Sequence, residues 1–208
     1  QNKNEIANKL RQKLDAIFRY ACLSERCDKN PVINLKGTLA SPKREHQKAF
    51  SKQDIPGFLV NLENYKGELI TKCGIWMILY TLARTVEIRN AVWSEFELDL
   101  ENSVWIIPDF KMKMGRDHVV PLSKQAVGVL NNLKQFSKGD PFIFHQLNNH
   151  KKPMSENAML YALYRMGYHN RATIHGIRST ASTIMNEEKI RPDVIEKLLA
   201  HSSSNPVR

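Results

Sequence analysis

One short segment patterned for β-strands interrupts a chain whose apolar residues otherwise recur at helical spacing. Residues 96–100 alternate between apolar and polar side chains, a polar turn follows, and residues 104–107 return as a second strand. Pro108 ends that strand, residues 109–117 form a polar loop, and residues 118–122 supply a third strand. This order predicts a small antiparallel sheet within a mainly helical fold.

The helical segments lie on both sides of that sheet in the sequence. Residues 70–83 are the most apolar of them and are predicted to be buried, whereas residues 36–52 are polar and basic and indicate a linker. Ser123 and Ser155 are placed to cap the helices that follow them. The predicted class is α+β, mainly α-helical, with helices at residues 4–23, 53–65, 70–83, 124–136, 156–166, 175–189 and 192–200.

The chain is strongly basic, with 31 lysines and arginines against 21 aspartates and glutamates, a formal net charge of +10 in 208 residues. This charge favours an anionic partner, and nucleic acid is preferred because no segment has the composition of a membrane span and no signal peptide opens the chain. Solubility alone is the plainer explanation. Three cysteines without a Cys-x-x-Cys pair predict neither a zinc site nor a disulfide framework, only small apolar fillers at Cys22, Cys27 and Cys73.

Four separated basic clusters carry side chains that suit a phosphoryl group. Arginine donates in a planar fork that matches phosphate oxygens, lysine can give up a proton, and histidine exchanges one near neutral pH. No carboxylate cluster that would hold magnesium accompanies them in the sequence. The set predicts phosphoryl transfer with neither a metal nor a cofactor. Its members are Arg84, Lys113, the pair His175 and Arg178, and His201.

Each cluster also has an ordinary structural explanation. Salt bridges at helix ends are common, so Arg84 with Glu87 three residues later requires no ligand. His175 can be a capping residue with Arg178 a surface cation, and His201 can simply complement the dipole of the helix it follows. A charged loop is usually solvated, which explains the lysines before the third strand. Taken singly, none of these residues decides a function.

Five segments carry these residues along the chain. They are LARTVEIRNAVWSEFELD from Leu82, IPDFKMKMGRDHVVPLS from Ile107, PMSENAMLYALYRMGY from Pro153, HGIRSTASTIMNE from His175 and PDVIEKLLAHSSSNPVR from Pro192. Together and in this order they resemble the catalytic domain of the tyrosine recombinase (phage integrase) family, in particular the integrases of satellite prophages and genomic islands. The likeness runs from about Lys52 to the end of the chain. It implies the family's mainly helical catalytic fold with a three-stranded antiparallel sheet.

The resemblance implies a role for most of the cationic residues. Arg84 and Arg178 would grip the scissile phosphate, and Glu87 would orient the Arg84 guanidinium. His175 would handle the proton of the nucleophile or bind the phosphate. His201 would donate a hydrogen bond to a non-bridging phosphate oxygen. Since these groups must surround one phosphate, the two arginines and two histidines are expected to converge on one basic pocket, with Arg178 exposed in it.

The lysine and the nucleophile depend on register along the chain. Lys113 lies eight residues before the Val-Pro proline, which matches the family's catalytic lysine, although Lys111 is two residues away and could be mistaken for it. The family's nucleophilic tyrosine follows the last histidine by about nine or ten positions, so it is expected just after Arg208. None of the six tyrosines in the chain occupies that position. Ile177 replaces a phenylalanine that is common in the family, which changes packing only.

The resemblance also implies a division of the chain and a biological activity. Residues 1–35 would be the C-terminal helix remnant of a core DNA-binding domain, residues 36–52 a linker, and residues 53–208 a catalytic domain truncated before its nucleophile. The activity implied is site-specific recombination, in which a tyrosine attacks DNA and forms a 3′-phosphotyrosyl intermediate during integration or excision of a mobile element. This chain by itself would not cleave.

The implied partners are double-stranded DNA attachment sites, a homotetramer on DNA, an excisionase and a host DNA-bending protein. The implied location is the bacterial cytoplasm, at the nucleoid, with no membrane association. A non-catalytic DNA-binding fragment and a type IB topoisomerase-like strand transferase remain as alternatives. A metal-dependent nuclease is disfavoured because the sequence shows no carboxylate–histidine constellation.

Overall fold

The computed structural model describes residues 3–40, 48–99, 102–112, 115–137 and 139–200. The chain divides into two compact units, residues 1–46 and residues 47–208. Within the described ranges, no helix is both long enough and apolar enough to cross a membrane.

The first unit is built on one long helix, α1 (Lys3–Leu23), as the sequence predicted. None of its residues is buried, and in the described part of this unit the buried apolar side chain is Val32. The Sγ atoms of Cys22 and Cys27 lie 3.2 Å apart as free thiols. The cysteine count did not predict this pair, because proximity across the turn after α1 depends on how that turn folds.

The second unit contains the remaining helices at the predicted places, with ends shifted by a few residues. Ser123 caps its helix as predicted, but the prediction for Ser155 was wrong, because Asn157 precedes the helix that begins at Ala158 and no side chain caps it. The first of them begins after a reciprocal cap, in which the Asp54 N–H donates to Ser51 Oγ and the Ser51 N–H donates to Asp54 Oδ2. The helices are α2 (Ile55–Glu63), α3 (Leu69–Thr81), α4 (Thr85–Arg89), α5 (Lys124–Lys134), α6 (Ala158–Leu163), α7 (Ile174–Glu187) and α8 (Pro192–Leu198).

Helix α3 ends two residues before the predicted end at Ala83, and this early end positions the site described below. Leu82 adopts a left-handed conformation with φ of 53°, and its N–H donates to Ile78 O at 2.8 Å. Arg84 then has extended backbone angles immediately before α4. The turn therefore places Arg84 at the N-terminus of a new short helix instead of on the surface of α3.

The three predicted strands are β1 (Phe96–Glu97), β2 (Val104–Ile107) and β3 (His118–Pro121), in the antiparallel order β1-β2-β3. Strand β1 is shorter than the five residues predicted for it. Trp105 of β2 is fully buried and its ring stacks on the Phe96 ring, with centroids 5.1 Å apart. These contacts confirm the mainly helical α+β class with a small three-stranded antiparallel sheet.

A second hairpin was not predicted. It consists of β4 (His145–Gln146) and β5 (Asn149–Pro153), which pair antiparallel. Its strands are polar, so the alternation that marks a half-buried strand is missing from the sequence. The hairpin is held by backbone bonds to the residues around it, including Met154 N–H to Phe144 O at 2.7 Å.

Most of the core lies around α3, and a small separate apolar cluster docks α8. In this second cluster Leu82 packs with Ile195 and Leu199, and Ala181 and Met185 of α7 cover it. The cluster brings the carboxyl end of α8 beside α7 and beside the turn that precedes α4. The largest fully buried side chains of the main core are Trp105, Phe58, Phe144, Leu62, Ile75, Met77, Ile78, Ile88, Ile107, Leu130, Met159 and Leu163.

Candidate active site

Arg84 is held by Glu87 through both its backbone and its side chain. The Arg84 N–H donates to Glu87 Oε2 at 2.6 Å, and Arg84 Nη1 donates to Glu87 Oε1 at 2.8 Å. Glu87 is buried, while the Arg84 side chain keeps 31% of its surface exposed. The spacing of three residues allows this because Glu87 lies in the first turn of α4, where its carboxylate faces back toward the N-terminus. The guanidinium is thus oriented by a carboxylate that cannot move away.

Arg178 lies in the second turn of α7 and is buried, with 5% of its surface exposed. The expectation that it would be exposed was wrong. Its Nη2 donates to Leu199 O at 2.6 Å, so the end of α8 covers it. The start of α7 is set by Thr173, whose Oγ1 accepts from the Gly176 N–H at 3.0 Å. A side chain at position 176 would collide with the backbone oxygen of Lys48, 2.1 Å from the place of its Cβ, so this position requires glycine.

Arg84 and Arg178 meet at the carboxyl end of α8. Arg84 Nη2 donates to Ala200 O at 2.9 Å, and Ala200 directly follows the Leu199 whose carbonyl accepts from Arg178. The last carbonyls of a helix lack partners within the helix and carry partial negative charge, so they are suitable acceptors for cations. The structure therefore brings together two arginines that lie 94 positions apart in the sequence.

The pair carries more positive charge than its surroundings neutralise. Burial, with a smaller contribution from the Arg84 charge, lowers the pKa of Arg178 to about 10, and the Glu87 carboxylate acts in the opposite direction. Arg178 consequently stays protonated at neutral pH. In the part of the chain that the structure describes, two guanidiniums face one carboxylate, and the carbonyls that complete their hydrogen bonds bring no full charge. Such a preorganised excess is suited to an anion with several oxygens.

The charges of Arg84, Arg178 and Glu87 also act on His118, the first residue of β3. His118 was not predicted from the sequence as a site residue. Burial is the largest cause of its lowered pKa. The positive charges of Arg84, Arg178 and Lys197 lower it further, and Glu87 opposes them. The only available sign in the sequence was its place at the end of the basic loop that precedes β3. His118 places an imidazole that favours its neutral form among these cations.

His175 lies in the first turn of α7, three residues before Arg178, and is exposed. His175 and Arg178 thus both lie near the N-terminus of α7, as predicted, but the histidine is at the surface and the arginine is buried below it. That arrangement leaves His175 accessible to a molecule that approaches over the N-terminus of α7. Its role in proton transfer stays a prediction.

Comparisons with known proteins assign the chain to a family. The sequence profile of the phage integrase family matches residues 48–208. The chain belongs to the phage integrase family. It is 36% identical to the integrase of Enterobacteria phage P4 over 99% of this chain and 50% of that protein. It is also 34% identical to prophage integrase IntS of Escherichia coli strain K12, over 98% of this chain and 53% of that protein.

Solved structures of tyrosine recombinases share the fold. A lambda integrase dimer bound to a COC′ core site matches with a TM-score of 0.72 and 18% identity, covering 98% of this chain and 58% of that one. The Tn1549 transposon integrase in complex with circular intermediate DNA matches with a TM-score of 0.69 and 17% identity, covering 97% and 72%. The chain spans about half the length of the curated phage integrase relatives it matches.

Two of the residues implied by the phage integrase resemblance, Lys113 and His201, lie outside the described residues. Their predicted roles therefore remain predictions. The neighbouring Lys111 is described, and its Nζ donates to Glu95 Oε1 and, at 2.7 Å, to Asn90 O. Because a catalytic lysine must be able to reach the leaving oxygen, these two bonds favour Lys113 over Lys111 for that role.

Proposed function

We propose that the intact protein is a site-specific DNA recombinase, an integrase that cuts and rejoins DNA to insert or remove a mobile element. The observation that carries this proposal is the convergence of Arg84 and Arg178, held in place with an excess of positive charge. A net charge of +10 and solved structures of similar proteins in complex with DNA support double-stranded DNA as the substrate. The finer assignment to the integrases of satellite prophages and genomic islands is part of the same proposal.

In the proposed reaction a tyrosine hydroxyl attacks a DNA phosphodiester. A bond forms between the tyrosine oxygen and phosphorus, the bond to the 5′-oxygen breaks, and a 3′-phosphotyrosyl link remains. His175 takes the proton of the tyrosine, and Lys113 gives a proton to the departing 5′-oxygen. The reverse sequence rejoins a new 5′-hydroxyl to the phosphate, and because the energy of the bond is kept in the covalent link, no nucleotide is consumed.

The two arginines stabilise the charge that develops on the phosphorane-like transition state. A guanidinium carries five N–H donors, and the bonds described above engage two on the Arg84 side chain and one on Arg178. Glu87 keeps Arg84 in the orientation that a phosphate requires. His201 would add a hydrogen bond to a non-bridging oxygen. Since Glu87 and the two arginines are positioned before the substrate arrives, little reorganisation of these side chains is needed during the reaction.

The nucleophile is proposed to follow Arg208 in the intact protein, because none of the six tyrosines lies about nine or ten positions after the last histidine. Tyr168 is buried with its ring in edge contact with Phe50 and Phe58, Tyr80 stacks on Trp76, and Tyr65 accepts hydrogen bonds from Arg165. The 208 residues by themselves are therefore proposed to bind DNA without cleaving it. The other three tyrosines are Tyr20 on α1, and Tyr161 and Tyr164, whose rings are in edge contact.

The oligomeric state, the domain organisation and the cellular location are part of the same proposal. Recombination between two DNA sites calls for four active sites, hence a homotetramer on the attachment sites, with an excisionase and a host DNA-bending protein to set direction. Residues 1–35 would end the core DNA-binding domain, residues 36–52 would link it to the catalytic domain at residues 53–208, and the protein would act in the bacterial cytoplasm at the nucleoid.

A nicked suicide substrate carrying an attachment site tests the proposal. The intact protein should become covalently attached to the DNA through a 3′-phosphate. The 208-residue chain should bind duplex DNA with an affinity that falls steeply with salt and form no adduct. An adduct with the 208-residue chain would place the nucleophile within it. Relaxation of supercoiled DNA without any preferred site would instead support the topoisomerase-like alternative.

A further inference from the structure

Asp140, His145 and His150 gather a carboxylate and two imidazoles at the β4–β5 hairpin. One potential ligand atom from each residue lies within 4.8 Å of the other two. His145 Nε2 is 3.7 Å from Asp140 Oδ2, and His150 Nδ1 is 3.2 Å from Asp140 Oδ1. The side chains of Asp140 and His145 are largely buried, with 12% and 10% of their surface exposed, whereas His150 keeps 44%. None of these residues has a part in the proposed recombination chemistry.

The tautomer of His145 is set by the backbone. Its Nδ1 lies 3.0 Å from Gln146 O, and because a carbonyl oxygen can only accept, Nδ1 must carry a proton. In the neutral ring, Nε2 then has a lone pair, and it faces the Asp140 carboxylate. Histidines that bind metals usually donate their other ring N–H to a backbone carbonyl or a carboxylate in this way. His145 is therefore oriented as a metal ligand would be.

The two imidazoles are also close to each other. Their ring centroids are 3.9 Å apart, and a nitrogen of each ring faces the Asp140 carboxylate. A single cation between the three side chains would bind to all of them at once.

We propose that Asp140, His145 and His150 bind a divalent transition-metal ion of the zinc type. Tetrahedral zinc with bonds of about 2.0–2.1 Å separates its ligand atoms by about 3.3 Å, and the two nitrogen–oxygen distances above bracket that value. Imidazole suits zinc, copper, nickel and iron, whereas magnesium and calcium prefer oxygen ligands alone. Three protein ligands leave a position for water. The sequence predicted neither a zinc site nor a carboxylate–histidine constellation, and the second expectation was wrong. The structure brings Asp140, His145 and His150 together at a hairpin that the sequence did not predict.

The bound metal would connect the segment before β4 to both strands of the hairpin. Asp140 precedes β4, His145 lies in β4 and His150 lies in β5. Next to them, β5 presents the exposed Lys151 and Lys152. The hairpin contains only short, polar strands, and a hairpin of this kind is marginal without further support. A metal ion at its base would supply that support.

Zinc titration of the untagged, chelator-treated chain tests the site. A background with Cys22→Ser and Cys27→Ser removes the close thiol pair as a competing ligand set. Calorimetry should show one Zn²⁺ per chain, and Co²⁺ should give the intense visible absorption of a tetrahedral site, while Mg²⁺ and Ca²⁺ should not bind. His150→Ala and Asp140→Asn should each weaken Zn²⁺ binding at least as much as the roughly 10–100-fold cost of losing an outer-shell partner. His169→Ala, which removes an exposed histidine outside the cluster, should bind as the background protein does.

Circular dichroism and thermal melting without metal show whether each variant folds. His150 is the ligand most exposed to solvent and Asp140→Asn keeps the shape of the side chain, so both changes should leave the apo fold intact. The metal proposal would be overturned by a background protein that binds no Zn²⁺, by either folded ligand variant binding with unchanged affinity, or by an equal loss in His169→Ala. The first of these results would mean that the three side chains only contact one another. No readout involves DNA, so failure here leaves the proposed recombinase function untouched.

Discussion

Two clusters in the second unit bury cations beside a glutamate, and they differ in how completely the charge is balanced. Near the sheet, Lys111 Nζ bonds to Glu95 Oε1, and the other oxygen of Glu95 accepts from Trp105 Nε1 at 3.0 Å. There one positive charge meets one negative charge. At the end of α8, Arg84 bonds to the Glu87 carboxylate, and the same carboxylate acts on Arg178 through its charge alone. In the first cluster the charges balance, whereas in the second the described residues supply two positive charges and one negative charge.

This difference separates a structural ion pair from a site that awaits an anion. A buried charge is costly unless a partner compensates it, and the Lys111–Glu95 pair meets that condition within the protein. The arginine pair meets it only in part, through carbonyl dipoles at Leu199 and Ala200. A phosphate would supply the missing negative charge. Spacing in the sequence could not make this distinction, because Lys111 and Glu95 lie 16 positions apart and Arg178 reaches the site only through long-range docking of α8.

The largest effect is expected from Arg178→Ala in the intact protein. Loss of one preorganised donor should slow cleavage of a suicide substrate by about 10²–10³-fold, or ~3–4 kcal/mol. The burial of Arg178 means that stability should fall as well, because Leu199 O loses its partner and an unsatisfied buried group costs about 1–3 kcal/mol. Cleavage is therefore measured well below the melting temperature, and melting is followed in parallel.

Arg178→Lys is the matched control, since it keeps the charge and removes the planar fork. It should restore little cleavage, because a point charge cannot replace two-pronged donation. Two results would remove Arg178 from the catalytic residues: near-normal cleavage by Arg178→Ala, or a loss of cleavage no larger than the unfolded fraction explains. Either result would also mean that the two clusters do not differ in function.

Lys111→Met is expected to have a smaller effect, which falls on stability and not on cleavage. The Lys111 side chain is 21% exposed and that of Glu95 only 7%, so the change leaves a mostly buried carboxylate without its cation. Stability should fall by about 2–3 kcal/mol, less than the 3–5 kcal/mol typical of a fully buried pair. Cleavage per folded molecule should stay nearly unchanged. Chemical denaturation of Lys111→Met and of Lys111→Met/Glu95→Gln measures this, and the double variant should regain part of the loss. A catalytic defect larger than the stability loss would mean that Lys111 is the reacting lysine.

Glu87→Gln should have a still smaller effect, which lowers the cleavage rate and raises the affinity for DNA. The amide keeps one acceptor, but it cannot receive both the Arg84 N–H and its guanidinium as the carboxylate does. Cleavage should slow by roughly tenfold, about 1.5 kcal/mol, the lower end for hydrogen bonds to charged groups. DNA affinity should rise, because removal of the carboxylate increases the positive excess. Weaker binding together with normal cleavage would show that Glu87 does not orient the site.

The sequence predicted the helices and strands whose apolar residues recur at regular spacing. The features that depend on long-range contacts could not be predicted from it. Apolar spacing predicted helices α3, α5 and α7 and strands β2 and β3. The separation of three residues predicted that Arg84 and Glu87 would face each other. The β4–β5 hairpin has no apolar alternation, so nothing in its sequence indicated strands. The burial of Arg178 depends on where α8 docks, through bonds that join residues as far apart as Arg84 and Ala200. No local pattern contains that information.

The smallest effect is expected at His118 and tests its burial together with the charges of the arginine pair. Burial and the nearby cations lower its pKa in the folded protein, whereas the unfolded chain has the ordinary value of about 6.5. As the pH falls below that value, the unfolded chain takes up the proton first, so stability is lost from about pH 7 downward until the folded-state pKa is reached. His118→Gln should flatten this dependence by less than about 1 kcal/mol between pH 7 and 5, with the exposed His169→Gln as control. Denaturant unfolding at several pH values measures it. An unchanged slope in His118→Gln would mean that neither burial nor the nearby positive charges act on His118, and the contrast between the two clusters would then be confined to the ends of α4 and α8.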